Sequence, residues 1–212
     1  MKALVIGATG ATGRDLTDVL LLDNNYTSVT LFVRKTTGIV HPKLSEVIVN
    51  FDKPEDFSEY IVGDVLFSCL GTTLKTAGSK EKQWNIDYDI PLKFAEIARR
   101  NGVSSFVLLS AYGASANSNV FYSKMKGKLE EAIAALSFDK YIIFRPGLLQ
   151  RKHTDRTGER IATVMLHFVN GLGLFKKFRP MPTLLLAGKL ARSAKILGNG
   201  KHVIELDKIF SF

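Results

Sequence analysis

A doubly wound α/β fold, with a parallel sheet covered by helices on both faces, is predicted by three observations. Short β-branched and apolar runs alternate with stretches of helical spacing through the first two-thirds of the chain. The strand runs are nearly continuous in apolar residues, as strands buried on both faces must be. A glycine-rich loop joins the first strand pattern to the first helix pattern. The 212 residues, 46% hydrophobic and 23% charged, suffice for one domain with a small appendage and can fill its core.

Each element follows from its local pattern. Lys2 to Ile6 reads as a buried strand; its apolar run is too short, and too soon broken by glycine, for a signal peptide. Ala11 to Leu22 has helical spacing. Ser28 to Val33 and Glu46 to Val49 read as the second and third strands, and Asp64 to Cys69, bounded by Gly63 and Gly71, as the fourth. Glu81 to Asn101 reads as a long helix that Pro91 interrupts or restarts. Ser104 to Leu109 is a fifth strand, Tyr122 to Leu136 a helix and Lys140 to Phe144 a sixth strand.

After Arg145-Pro146-Gly147 the rhythm changes. His153 to Arg160 reads as a polar loop leading to a helix near Ile161 to Val169. Gly171-Leu172-Gly173 and a basic stretch, Lys176 to Arg179, precede Pro180 and Pro182. Leu184 to Leu197 reads as a helix and His202 to Leu206 as a late strand. The expected organisation is therefore a nucleotide-binding domain over residues 1–150. Residues 151–212 are expected to form a small C-terminal cap packed on the same domain.

Several classes fall away. Cys69 is the only cysteine, which excludes a disulfide scaffold and suits a reducing compartment, read as the cytoplasm. No run approaches the ~18 apolar residues of a membrane span. His41, His153, His167 and His202 lack metal-ligand spacing, so no metal is expected. Cys69 itself lies in a strand and reads as a packed thiol. The 29 Lys and Arg outnumber 20 Asp and Glu, for a net charge of +9 and a pI near 9.6. That balance favours an anionic partner without choosing one. A nucleic-acid module would rest on charge alone, so no specific nucleic acid is expected. A small-molecule substrate is, and a homo-oligomer stays open.

The loop Gly7-Ala8-Thr9-Gly10-Ala11-Thr12-Gly13 carries most of the functional information. In a strand–loop–helix unit Gly7 permits a tight turn, Gly10 lets backbone approach a pyrophosphate, and Gly13 lets helix and strand pack closely. The helix N-terminus then offers free N–H groups and a positive dipole end to phosphate. This is the signature of a Rossmann-like, dinucleotide-binding unit. The second strand ends at Arg34-Lys35, where an acidic residue would grip a ribose 2′-hydroxyl. Two cations suit a 2′-phosphate instead, so NADP(H) is favoured over NAD(H). Asp52, after the third strand, is placed to accept a hydrogen bond from an adenine amino group.

Tyr122 and Lys126 stand at i and i+4 of a helix and so share one face. An ammonium beside a tyrosine stabilises the tyrosinate and brings it toward acid–base use. Ser110 ends the fifth strand, near the crevice where such sheets bind ligands, and its hydroxyl could polarise a substrate carbonyl. Ser115 is the alternative serine.

These segments resemble the short-chain dehydrogenase/reductase superfamily in its atypical NAD(P)-binding branch, most nearly its NmrA-like and HTATIP2 (TIP30)-like members. The resemblance is carried by GATGATG, Ser68-Cys69-Leu70-Gly71-Thr72-Thr73, Trp84-Asn85-Ile86-Asp87-Tyr88, Leu108-Leu109-Ser110, Tyr122xxxLys126-Gly127 and Phe144-Arg145-Pro146-Gly147. It runs over about residues 2–150 in the expected order, and only loosely beyond.

The resemblance implies that Tyr122 is the proton donor or acceptor. Lys126 lowers the tyrosine pKa and holds the nicotinamide ribose, and Ser110 completes the set. It implies phosphate contacts from Gly7, Thr9, Ala11, Thr12 and Gly13. Leu70, Gly71 and Thr72 would line the cofactor near its ribose, and Pro146, Gly147 and Leu148 would flank the nicotinamide. Asn85 is given no role. The implied activity is NADPH-dependent hydride transfer to or from a small carbonyl or alcohol. The alternative is an NAD(P)-binding regulator with little or no turnover.

Overall fold

The computed structural model describes residues 1–150 and 179–212. A seven-stranded, all-parallel sheet forms its centre. The strands are β1 (Lys2–Ile6), β2 (Ser28–Val33), β3 (Leu44–Ile48), β4 (Val65–Ser68), β5 (Ser105–Leu109), β6 (Lys140–Arg145) and β9 (Gly200–Glu205). Their spatial order is β3-β2-β1-β4-β5-β6-β9. The order reverses direction at β1, so the crevice of a doubly wound sheet opens beyond the ends of β1 and β4. A two-residue pair, β7 (Leu149–Gln150) with β8 (Met181–Pro182), lies apart from it.

Alternation along the strands builds two apolar layers. On β1, Ala3 and Val5 join the cluster that holds Leu16 and Leu20 of α1 (Ala11–Leu22). Leu4 and Ile6 join the cluster on the opposite face, with Phe94 and Ile97 of α4 (Ile90–Arg100) and Leu129 and Ile133 of α5 (Phe121–Ala135). Burial on both faces is why these strands carry so few polar residues. The parallel, Rossmann-like sheet expected from the sequence is the one observed.

Three local differences have physical reasons. The single helix expected over Glu81–Asn101 runs without a break but contains a π-helical turn (Asn85–Asp89) between α3 (Lys80–Trp84) and α4, with Trp84, Asn85, Asp89 and Ile90 all in helical backbone conformation. Pro91, which has no N–H to donate back along the helix, falls two residues after that π turn. The third strand begins at Leu44, two residues before the apolar signal, because pairing with β2 continues through polar Ser45. Short elements with little periodicity are absent from the sequence reading: a 3₁₀ stretch (Pro54–Tyr60), α2 (Leu74–Ala77) and α7 (Lys208–Ser211).

The C-terminal part enters the central layers. Helix α6 (Thr183–Ile196) buries Leu186 and Leu190 in the same cluster as α1, and the Tyr26 hydroxyl donates to the Ala191 carbonyl at 2.7 Å. Strand β9 pairs with β6 along Lys140–Arg145. A division at residue 150 therefore does not separate the layers of this sheet. The loop expected at His153–Arg160, the helix at Ile161–Val169, and the Gly171–Phe178 readings lie outside the described residues. Arg179, the end of the basic stretch, stacks over the Phe210 ring at 3.5 Å. Among the described residues no helix is long and apolar enough to cross a membrane, and no three His, Cys, Asp or Glu side chains cluster as metal ligands.

Candidate functional site

The site begins where β1 ends. Gly7 has φ +82°, and a Cβ there would stand 2.6 Å from the Cys69 carbonyl carbon at the end of β4. A Cβ on Gly13 would stand 2.1 Å from the Gly7 carbonyl oxygen. Strand, loop and helix thus meet at a separation only glycine allows. Gly10 is the N-cap of α1 and provides no side-chain cap, and no acidic residue occupies the first turn. The first helical N–H groups and the positive end of a 12-residue helix are therefore available to an anion.

Two cavities flank this loop. The smaller, about 410 Å³, is lined by Gly7, Thr9, Arg34, Asn50 and Asp52 among others. The larger, about 680 Å³, is lined by Gly10, Ala11, Thr12, the Leu70–Thr73 segment, Ser110, Tyr122 and Lys126 among its described residues. Leu70 touches both. The pair matches the two nucleoside halves of a dinucleotide laid across the helix N-terminus. The orphan N–H groups and the glycine cradle fit its pyrophosphate.

The smaller cavity is held by short-range structure. Arg34 follows β2 directly, and the next residues are tied to β3. Thr36 Oγ1 donates to Glu46 Oε2 at 2.5 Å, and the Thr37 N–H donates to Glu46 Oε1 at 3.0 Å. Burial pushes the Glu46 carboxyl up, but these hydrogen bonds outweigh it and hold it below its ordinary value. Lys35 is exposed and lines neither cavity.

The larger cavity gathers remote segments. Tyr122, Lys126 and Glu130 stand on successive turns of α5. Tyr122 is 38% exposed, whereas Lys126 is buried, with its Nζ 6.0 Å from the Tyr122 ring centroid and 3.4 Å from the Leu70 carbonyl oxygen. Gly127 follows because the Ser115–Ala116 backbone crosses the helix there; a Cβ would come within 2.2 Å of it. Ser115 thus packs against α5 and does not line the cavity.

Ser110 lines the cavity, but its hydroxyl donates to Glu130 Oε1 at 2.5 Å. Glu130 is buried and also accepts from Arg145 Nε at 3.0 Å and Nη2 at 2.5 Å. Arg145 Nη1 reaches Glu205 on β9 at 2.6 Å. Its hydrogen bond to Glu130 raises the Arg145 pKa, so the guanidinium stays charged. The proton expected to polarise a carbonyl is engaged by a carboxylate in this arrangement. Glu130 was not singled out in the sequence, although it falls one turn beyond Lys126 on the same face.

Pro146, Gly147 and Leu148 line neither described cavity; the next residue, Leu149, lines the larger. The Pro146 carbonyl accepts from the Tyr112 N–H at 3.0 Å and that of Leu148 from the Met181 N–H at 2.9 Å. Gly13 lies behind the loop, buried at the helix contact. Burial pushes the Cys69 thiol up to about 12, which favours the protonated thiol.

Comparisons with known proteins identify the family and the fold. A family described as NAD(P)H-binding matches residues 7–170. Protein HTATIP2 of Rattus norvegicus is 36% identical over 166 residues, 76% of this chain and 68% of that protein. The mitochondrial protein FMP52 of Candida albicans is 33% identical over 188 residues, 85% of this chain and 82% of that protein. Among solved structures, UDP-glucose 4-epimerase of Thermotoga maritima with UDP-glucose has a TM-score of 0.73 at 15% identity, covering 97% of this chain and 76% of that one. MoeE5 in complex with UDP-glucuronic acid and NAD has a TM-score of 0.75 at 14% identity, with the same coverages. At such identities these two structures speak for the fold. The matched span and the curated relatives establish that the chain belongs to the NAD(P)H-binding family, with the fold of the short-chain dehydrogenase/reductase superfamily.

Proposed function

We propose that this protein is an NADPH-dependent oxidoreductase acting on a small carbonyl or alcohol substrate. The observation that carries the reading is Tyr122 and Lys126, one helical turn apart, in the wall of the cavity that continues from the open N-terminus of α1. When bound, the nicotinamide supplies or accepts the hydride. The Tyr122 hydroxyl gives or takes the proton at the substrate oxygen, and the buried Lys126 ammonium lies behind its ring. Because Ser110 gives its proton to Glu130, proton transfer rests on Tyr122, and Ser110 keeps a positioning part. The loop N–H groups hold the pyrophosphate, Asp52 the adenine, and Arg34, with Lys35 beside it, the 2′-phosphate that selects NADP(H) over NAD(H).

NADPH, incubated with a panel of aldehydes, ketones and quinones, should be oxidised by the wild type. Tyr122→Phe should lower that turnover by 100-fold or more, about the size of a general-acid contribution, while still binding NADPH. Unchanged turnover in Tyr122→Phe would end the assignment. The engaged proton of Ser110 favours a second reading, a dinucleotide-binding regulator with little turnover. That reading expects NADPH to raise the melting temperature with no oxidation across the panel. We place the protein in a reducing compartment and propose the cytoplasm. The FMP52 relatives are mitochondrial by name, and cell fractionation separates the two.

A further inference from the structure

Asp87 is fully buried, in the π-helical turn between α3 and α4. Such turns are rare and concentrate at functional sites. Its Oδ1 accepts the Thr72 N–H at 2.8 Å. Gln83 Nε2 donates to the carbonyl oxygen of the same residue at 3.1 Å. Thr72 is thereby held from both its backbone groups, in the middle of the Leu70–Thr73 segment that walls the larger cavity. The other carboxylate oxygen, Oδ2, makes no hydrogen bond among the described residues. A buried carboxylate left so is costly unless a charge compensates it. Burial holds the Asp87 carboxyl above its ordinary value, and the ammonium of Lys126, itself buried, opposes that shift and favours the ionised form. The only hydrogen bond of Lys126 among the described residues is to the Leu70 carbonyl, in the same segment.

We infer that Asp87 is a positioning residue for the ribosyl-nicotinamide half of the cofactor. It pins the Leu70–Thr73 backbone through Thr72 and supplies the counter-charge that keeps the Lys126 ammonium turned to that segment. The inference rests on the proposed placement of the nicotinamide ribose in the larger cavity. It extends that placement to a residue that touches no cofactor atom. Asp87 lines neither cavity and its bonded partner Thr72 lines only the larger, so the effect should fall mainly on the nicotinamide end of the dinucleotide.

The test is calorimetric titration of the wild type, Asp87→Asn and Asp87→Ala with two ligands, NADPH and adenosine 2′,5′-bisphosphate. The second ligand carries the adenosine half alone. Asparagine keeps an oxygen for the Thr72 N–H and removes the charge, so it should fold like the wild type. We expect Asp87→Asn to weaken NADPH about tenfold, the scale of one charge-assisted contact. The bisphosphate affinity should stay within about twofold. In a Lys126→Met background, Asp87→Asn should add no further loss, since its effect acts through that ammonium. Wild-type affinity for NADPH in Asp87→Asn would overturn the inference, as would equal weakening of both ligands. A wild type that binds the bisphosphate but not NADPH would overturn the nicotinamide placement itself.

Discussion

The smaller cavity is walled mainly by the ends of three neighbouring strands: the Gly7–Thr9 loop after β1, Arg34 at the end of β2, and Asn50 and Asp52 just past β3. The larger cavity draws on the loop, the end of β4, the end of β5 and the first turns of α5. Two hydrogen-bonded networks stand at its wall: Asp87 with Thr72, and Ser110 with Glu130, Arg145 and Glu205. In the smaller cavity the functional side chains are exposed strand-end groups. Side chains at the smaller cavity can thus be altered with little disturbance of the fold, whereas polar groups at the larger are tied into it by hydrogen bonds.

Substitutions can break or sharpen that contrast. The largest effect is expected from Gly13→Ala, because the glycine loop serves both halves. Its Cβ would meet the Gly7 carbonyl oxygen at 2.1 Å, and backbone must move. We expect about 3 kcal/mol of destabilisation, with loss of NADPH binding, by denaturant melts and titration. A stable, binding-competent variant would refute the close-contact role of that glycine.

Glu130→Gln comes next, in the larger cavity. It leaves Arg145 without its buried counter-charge and should cost about 2–3 kcal/mol, read as a lower melting temperature. Wild-type stability would mean that the two halves do not differ in the way argued. Arg34→Ala, in the smaller cavity, should do the reverse. NADPH affinity should fall about 10- to 100-fold, as for a lost charge-assisted hydrogen bond, with NADH affinity and melting temperature unchanged. Equal loss for both dinucleotides would remove the 2′-phosphate role.

The smallest effect lies away from both cavities, where Asp23 at the end of α1 pairs with Lys195 of α6. Burial pushes the Asp23 carboxyl up, but hydrogen bonds from Lys195 and Asn25 outweigh it and bring it from 3.8 down to about 2. A carboxyl depressed in the fold stabilises it fully above its unfolded value and loses that contribution as pH falls toward 2. Between pH 5 and pH 2 the wild type should therefore lose about 1 kcal/mol more than Lys195→Met. Equal acid sensitivity of the two would show that this pair adds nothing.

How much was legible follows the same contrast. The glycine loop could be read because each glycine answers a requirement of one strand–turn–helix unit within a few residues. Arg34 and Asp52 could be placed because parallel strands end on the same side of the sheet. Tyr122 and Lys126 were legible as an i, i+4 pair. Ser110 was located, but not what its proton does, since that depends on Glu130, twenty residues on. Asp87 stood within a quoted motif, yet its burial follows from a π turn that apolar periodicity does not report.

By itself, then, the sequence determined the parallel sheet, its glycine loop and the shared helix face of Tyr122 and Lys126, because these arise from period, glycine spacing and neighbours along the chain. Tertiary structure alone decided that β9 and α6 complete the central layers. It also decided that Ser110 answers to Glu130, and that buried Asp87 holds the Thr72 N–H. Those outcomes depend on charges brought together across the fold, where burial leaves each one dependent on its partner.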